Sequence, residues 1–281
     1  MPTIAVHVGA HKTGTSLIQK YLRDKPEQIL PYGIRVISRS DTNGLIGWGA
    51  ALIDTPEKLA NRLEAETAAG TTVRYVVASH ENTLGRPHRA SGDYLYPESP
   101  TRIEALAKVL TGWDAKVIVY LRPQAPFLES YYLQLVQQGE TFTFDQWLDR
   151  VDFDRVSWRP LIEMLDAAFG RDRVEVGDFE EIRQGQEAFL QGFFRRIDPS
   201  IDFAPEYAAQ RNLSISEKGL RIALAANPYL RTPDEKKGMR VFLQRRFSNA
   251  DYPRAVLFTP GQRADLEVRY GAEYRSLIRP R

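Results

Sequence analysis

The stretch HVGAHKTGTSLIQ, residues 7–19, carries three signals in thirteen positions. An apolar run that begins at Thr3 ends at Gly9. A cramped polar loop follows. Leu17, Ile18, Tyr21 and Leu22 then recur at helical spacing. A strand, a tight turn and a helix N-terminus in that order aim several backbone N–H groups and the positive end of a helix dipole at one spot. Gly9 and Gly14 let the backbone pass close to an anion, Lys12 adds a mobile charge, and Thr13, Thr15 and Ser16 offer hydroxyl donors. The plain alternative is a strand–helix turn that carries a surface lysine.

Outward from this loop, strand and helix signals alternate. TIAVHV (3–8), GIRVIS (33–38), TVRYVVAS (72–79), KVIVYL (116–121) and RVEV (173–176) read as strands. KVIVYL is apolar at nearly every position, as expected of a parallel strand covered on both faces. Between the strands, helices are expected from Thr55-Pro56 to Gly70, from Ser99-Pro100 to Gly112, over 125–139, and from Pro160 to Gly170. This alternation predicts an α/β fold: a mostly parallel central sheet flanked by helices, with a helical C-terminal part. Ser214-Ile215-Ser216-Glu217 reads as a capping box before the last helices. The loops at 40–50 and 82–100 are long enough to be functional. Residues 1–281 are expected to form one domain.

Composition narrows the function. The chain has 281 residues, a formal charge of +2, 43% hydrophobic and 26% charged residues. That balance does not point to nucleic acid or an anionic membrane. No cysteine is present, which excludes disulfides, thiolate metal sites and a cysteine nucleophile. Four histidines make a histidine-rich metal site unexpected. No run approaches the ~20 apolar residues of a membrane span. A cytoplasmic location is expected, and oligomeric state is not readable.

The loop nearly fits the nucleotide-binding pattern G-x-x-x-x-G-K-[ST], with Gly9 and Gly14 at the right separation. Thr15, however, stands where that pattern has lysine, and Lys12 lies inside the loop. Lys12-Thr13-Gly14-Thr15 instead resembles the 5′-phosphosulfate loop of sulfotransferases that use 3′-phosphoadenosine 5′-phosphosulfate. A second motif supports the resemblance. In VIVYLRPQAPFLESYYLQ, Arg122 ends the fourth strand and Ser130 lies eight residues on, where the family holds the donor's 3′-phosphate. A guanidinium fork suits a phosphate dianion.

The resemblance implies a P-loop-like α/β fold, a donor site formed by His11, Lys12, Thr13, Gly14, Thr15, Ser16, Arg122 and Ser130, and no metal. Lys12 is implied to act in catalysis. Sulfuryl transfer to a hydroxyl or amine also needs a base within reach of the acceptor. SHEN at the exit of the third strand supplies two candidates, Glu81 and His80. Strand alternation lets one of them face the donor. The family pattern favours Glu81, and His80 competes. Arg211, just before the capped helix, is a weaker match to a basic segment that closes over the 3′-phosphate. The C-terminal stretch 261–281 looks like the closing helix of bacterial members. His7 reads as a core histidine, and the basic run 236–246 as a solvated helix face. The acceptor is not readable from the sequence; a glycan, a lipid headgroup and a small metabolite all stay open. Two alternatives remain: a P-loop kinase or related nucleotide-phosphate enzyme, and a non-catalytic binding protein on the same fold.

Overall fold

A computed structural model describes residues 1–47, 51–70, 72–87, 94–207 and 214–279. Five strands, β1 (Thr3–His7), β2 (Ile34–Val36), β3 (Tyr75–Ser79), β4 (Ala115–Leu121) and β5 (Val174–Asp178), form one sheet in the order β2-β3-β1-β4-β5. Every pairing is parallel; Val6 stands opposite Ala78 on one side and Val117 on the other. β1 is therefore central. Its carboxyl end opens between the exits of β3 and β4, where the chain reverses its direction of travel across the sheet. Ligand crevices of open α/β sheets form at such a point.

The longer helices are α1 (Thr15–Asp24), α2 (Pro56–Ala68), α3 (Ser99–Leu110), α4 (Gln124–Gln137), α5 (Arg159–Phe169), α6 (Gln186–Ile197), α7 (Glu217–Ala226), α8 (Pro233–Arg246) and α9 (Pro260–Leu277). They cover both faces of the sheet, and the period-two alternation of strand side chains splits the core accordingly. Ile4, Val6, Val117, Val119 and Leu121 pack on one face with α3, α4 and α5. Ala5, Val77, Ile118 and Tyr120 pack on the other with α1 and α6. These strand residues are 0–1% exposed, so the near-continuous apolar runs follow from double coverage.

Several boundaries differ from the sequence expectation. β2 and β3 are shorter than 33–38 and 72–79, because Gly33 turns in the left-handed region (φ +73°) and its carbonyl accepts from the amides of Arg74 and Tyr75 before pairing begins. The last helical region is capped by Ser216, not by a Ser214–Glu217 box. Ile215 bridges Ser248 in antiparallel fashion, which keeps the chain extended until Ser216 accepts from the Gly219 amide. Part of the expected 40–50 loop is helical: a short helix, Arg39–Thr42, and a wide turn, Asn43–Gly47. Among the described residues no helix is long and apolar enough to cross a membrane.

Candidate functional site

The loop after β1 bends into the left-handed region three times, at Gly9 (φ +49°), Lys12 (φ +63°) and Gly14 (φ +89°). Both glycines are required by close approach as well as by φ. A Cβ on Gly9 would stand 2.7 Å from Thr15 Oγ1, and one on Gly14 would stand 2.8 Å from the Phe189 ring. At Lys12 the same conformation costs a side-chain residue on the order of 1–3 kcal/mol, a strain that clusters at ligand sites.

Two tethers fix the loop. The Thr13 hydroxyl donates to the Ala10 carbonyl at 2.5 Å. Its proton is thus spent inside the turn, contrary to the expectation that it would face a ligand. The His11 amide donates to the Tyr96 hydroxyl at 2.7 Å, and that hydroxyl lies 3.1 Å from His11 Nδ1. The hydroxyl's proton therefore goes to Nδ1, which leaves Nε2–H to donate to Asn82 Oδ1 at 2.8 Å. Burial lowers the His11 pKa to about 4, against the pull of Glu81 and Asn82. His11 is a neutral buried strut that orients the loop. By contrast, Thr15 Oγ1 is buried with no partner among the described residues, and Ser16 is exposed in the first turn of α1.

Two cations meet at this loop. Lys12 is half-buried, and its ammonium has no hydrogen-bond or ion-pair partner among the described residues. Burial, and then the charge of Arg122, lower its pKa to about 8 despite the opposing field of Glu81. Arg122 leaves the end of β4. Its Nη1 lies 3.5 Å from the Lys12 carbonyl, and its guanidinium stacks 5.0 Å from the Phe179 ring centroid. The Trp158 indole anchors the Arg122 carbonyl at 2.9 Å. No carboxylate pairs with Arg122 among the described residues, and its Nε is buried without a partner. Burial lowers its pKa against the opposing field of Glu180, and the field of Arg254 adds to the lowering. Ser130 is half-buried in α4, about two turns beyond Arg122. Arg211 lies outside the described residues.

The exit of β3 supplies the opposite charge. Ser79 Oγ hydrogen-bonds His7 Nδ1 at 2.9 Å. His7 is buried, and burial lowers its pKa to about 4. His80 is buried with both ring nitrogens engaged: Nδ1 accepts from the Asn82 amide and Nε2 donates to Asn43 Oδ1, each at 3.1 Å. Gly47 presses on its ring, where a Cβ would fall 2.6 Å from Cε1. Glu81 stands beside the glycine loop, its Cα 3.4 Å from where a Gly9 Cβ would lie. Arg39 donates to both of its oxygens at 3.0 Å, and Gln19 donates to Oε2 at 3.3 Å. Burial alone would raise the Glu81 pKa. The hydrogen bonds and charge of Arg39 outweigh it and hold the pKa at about 2.

The loop, Arg122 and Glu81 thus share one end of the sheet. Arg39 and Arg254 were not singled out in the sequence. Arg39 follows the carboxyl end of β2, the side from which ligand loops arise, and that position was the available signal. Arg254 lies far along the chain in an irregular segment that carries none.

No family model matches the chain. No curated protein matches it either. Among solved structures it is similar to a sulfotransferase from Alicyclobacillus acidocaldarius, with 19% identity over 89% of this chain and 98% of that one and a TM-score of 0.47. It is similar to mouse sulfotransferase SULT7A1 complexed with PAP, with 14% identity over 98% and 88% and a TM-score of 0.43. It is also similar to retinol dehydratase in complex with androsterone and inactive cofactor PAP, with 10% identity over 99% and 82% and a TM-score of 0.38. Two of the three are named sulfotransferases.

Proposed function

We propose that the protein is a sulfotransferase that moves the sulfuryl group of 3′-phosphoadenosine 5′-phosphosulfate to a hydroxyl or amine of a carbohydrate or small metabolite. The observation that carries this reading is the meeting of Lys12 and Arg122. Two cations that no carboxylate pairs with among the described residues, at the tips of adjacent strands, suit a ligand with more than one phosphate-like group. The orphaned Thr15 hydroxyl and Arg122 Nε are donor groups that fit an anionic ligand.

In this reading the amides of residues 12–16 cradle the 5′-phosphosulfate, and Arg122 with Ser130 holds the 3′-phosphate. When bound, the donor supplies an electrophilic sulfuryl group on a phosphate leaving group. Lys12 meets the charge that grows on the leaving oxygen, and Glu81 takes the acceptor's proton. His80 is the poorer base, since both its nitrogens are already engaged. Catalysis is by positioning and electrostatic stabilisation.

Thermal-shift titration with 3′,5′-bisphosphoadenosine beside ATP–Mg²⁺ tests the reading. A ligand at a hundredfold excess over its Kd stabilises by about 2.7 kcal/mol. We expect that stabilisation from the bisphosphate and little from ATP–Mg²⁺. Equal or greater stabilisation by ATP–Mg²⁺ would replace the reading with a kinase-type enzyme.

A further inference from the structure

Glu81, the base of the proposed reaction, is occupied. Arg39, in the first turn of the short helix after β2, donates from Nη1 and Nη2 to the two carboxylate oxygens at 3.0 Å each. The Arg39 side chain is 47% exposed and that of Glu81 is 23% exposed, so the pair opens to solvent on the arginine side. Other charged, titratable or polar groups that act on Glu81 are Lys12 and His11 from the loop after β1, His7 from β1, Tyr96 from the segment before α3, Gln19 from α1 and the adjacent His80. Among the described residues, Arg39 alone grips both oxygens.

We infer that Arg39 is an anchor for a carboxylate on the acceptor, and that an acceptor bearing both a carboxylate and a hydroxyl takes this guanidinium from Glu81 and so frees the base only once it is seated. The inference rests on the sulfuryl-transfer reading and gives the acceptor a chemical class, a hydroxy acid such as a uronic acid sugar. The fork already holds one carboxylate in bidentate geometry and accepts another without rearrangement. The exchange keeps the guanidinium paired and leaves Glu81, without its ion-pair partner, as the more basic carboxylate. A neutral acceptor would have to open the ion pair to water, or react against a carboxylate whose basicity the guanidinium holds down. In the step itself, the acceptor hydroxyl gives its proton to Glu81 and its oxygen bonds sulfur. The bond from sulfur to the 5′-phosphate oxygen breaks, and the electron pair stays on the phosphate beside Lys12.

The test uses the full chain and the Arg39→Gln and Arg39→Lys variants. Bisphosphoadenosine binding is measured first; its absence in the parent chain overturns the sulfuryl-transfer reading and this inference with it. With binding intact, kcat/KM is measured for methyl β-D-glucuronide and methyl β-D-glucoside. The parent should favour the glucuronide by about tenfold or more, the scale of one charge-assisted hydrogen bond. Arg39→Gln should erase the preference, chiefly through KM for the glucuronide, and Arg39→Lys should keep part of it. In parallel, the Glu81 carboxyl ¹³C shift should show no titration between pH 4 and 8 in the parent and a midpoint inside that range in Arg39→Gln. No glucuronide preference in the parent, a preference that survives Arg39→Gln, or an unmoved Glu81 titration overturns the inference.

Discussion

Arg122 and Arg196 are two versions of one local design. Each guanidinium stacks on an aromatic ring, 5.0 Å from Phe179 in one case and 5.1 Å from Tyr120 in the other. Each leaves its Nε buried and unpartnered. They differ in what neutralises them. Arg196, on α6, donates to both oxygens of Glu181, at 2.7 and 3.3 Å. Burial works to lower its pKa, but Tyr120 and Glu181 outweigh burial and raise it. Arg122 has no such partner, and its pKa is lowered. A buried charge is costly unless paired. Arg196 is complete within the fold, whereas Arg122 and the adjacent Lys12 lack such a partner and, in the proposed reaction, would be completed by the donor's anions.

The largest expected effect breaks or keeps the functional half of that comparison. Lys12→Ala should lower turnover with the phosphosulfate donor by about 10²–10³, the scale for removal of one donor to developing charge. Thermal stability should not fall, because no partner of Lys12 is stranded. Unchanged turnover would take Lys12 out of the mechanism.

Next comes the pair of arginines themselves. Arg196→Met strands Glu181 and should cost about 3 kcal/mol in urea unfolding, the low end for a broken buried pair, since Glu181 keeps some access to water. Arg122→Met strands no carboxylate and should change stability by no more than about 1 kcal/mol. Its bisphosphoadenosine affinity should drop about 10–100-fold, as one or two charge-assisted bonds are lost. Equal destabilisation by the two substitutions would mean that Arg122 is a structural residue like Arg196.

The sequence disclosed the parts of this site that follow a local rule. The order strand, Gly9, Gly14, helix announces an anion-facing turn, and the almost wholly apolar 116–121 run announces a doubly covered strand that ends in Arg122. It did not disclose charge compensation, which depends on residues distant in the chain. Glu181 lies fifteen positions before Arg196, and Arg39 lies forty-two before Glu81. Nothing in SHEN tells that His80 is locked between Asn43 and Asn82 while Glu81 is held by Arg39. Thr13 misled for a related reason. A hydroxyl in a polar loop reads as a ligand donor, but the left-handed bend at Lys12 accompanies a turn in which that hydroxyl reaches the Ala10 carbonyl.

The smallest effect is the most direct reading of an uncompensated charge. Lys12 in the free chain has its pKa lowered to about 8, from an ordinary value of 10.5. An anion in the site favours the ammonium and raises that pKa, so affinity and proton binding are linked. Below pH 8 the free chain already carries the proton and affinity is flat. Above pH 8 each unit should weaken bisphosphoadenosine binding by up to about tenfold. The ligand's own second phosphate ionisation, near pH 6, lies outside this window. Stability of the free chain should move the other way. Between pH 8 and 10.5 the unfolded chain holds the Lys12 proton and the folded chain does not, so stability relative to Lys12→Met should rise by about 1.4 kcal/mol per pH unit. Lys12→Arg keeps its charge throughout and should bind with a flat profile from pH 7 to 10. If parent and Lys12→Arg share one profile, the ammonium is already compensated in the free chain, and the contrast with Arg196 collapses at Lys12 even if it survives at Arg122.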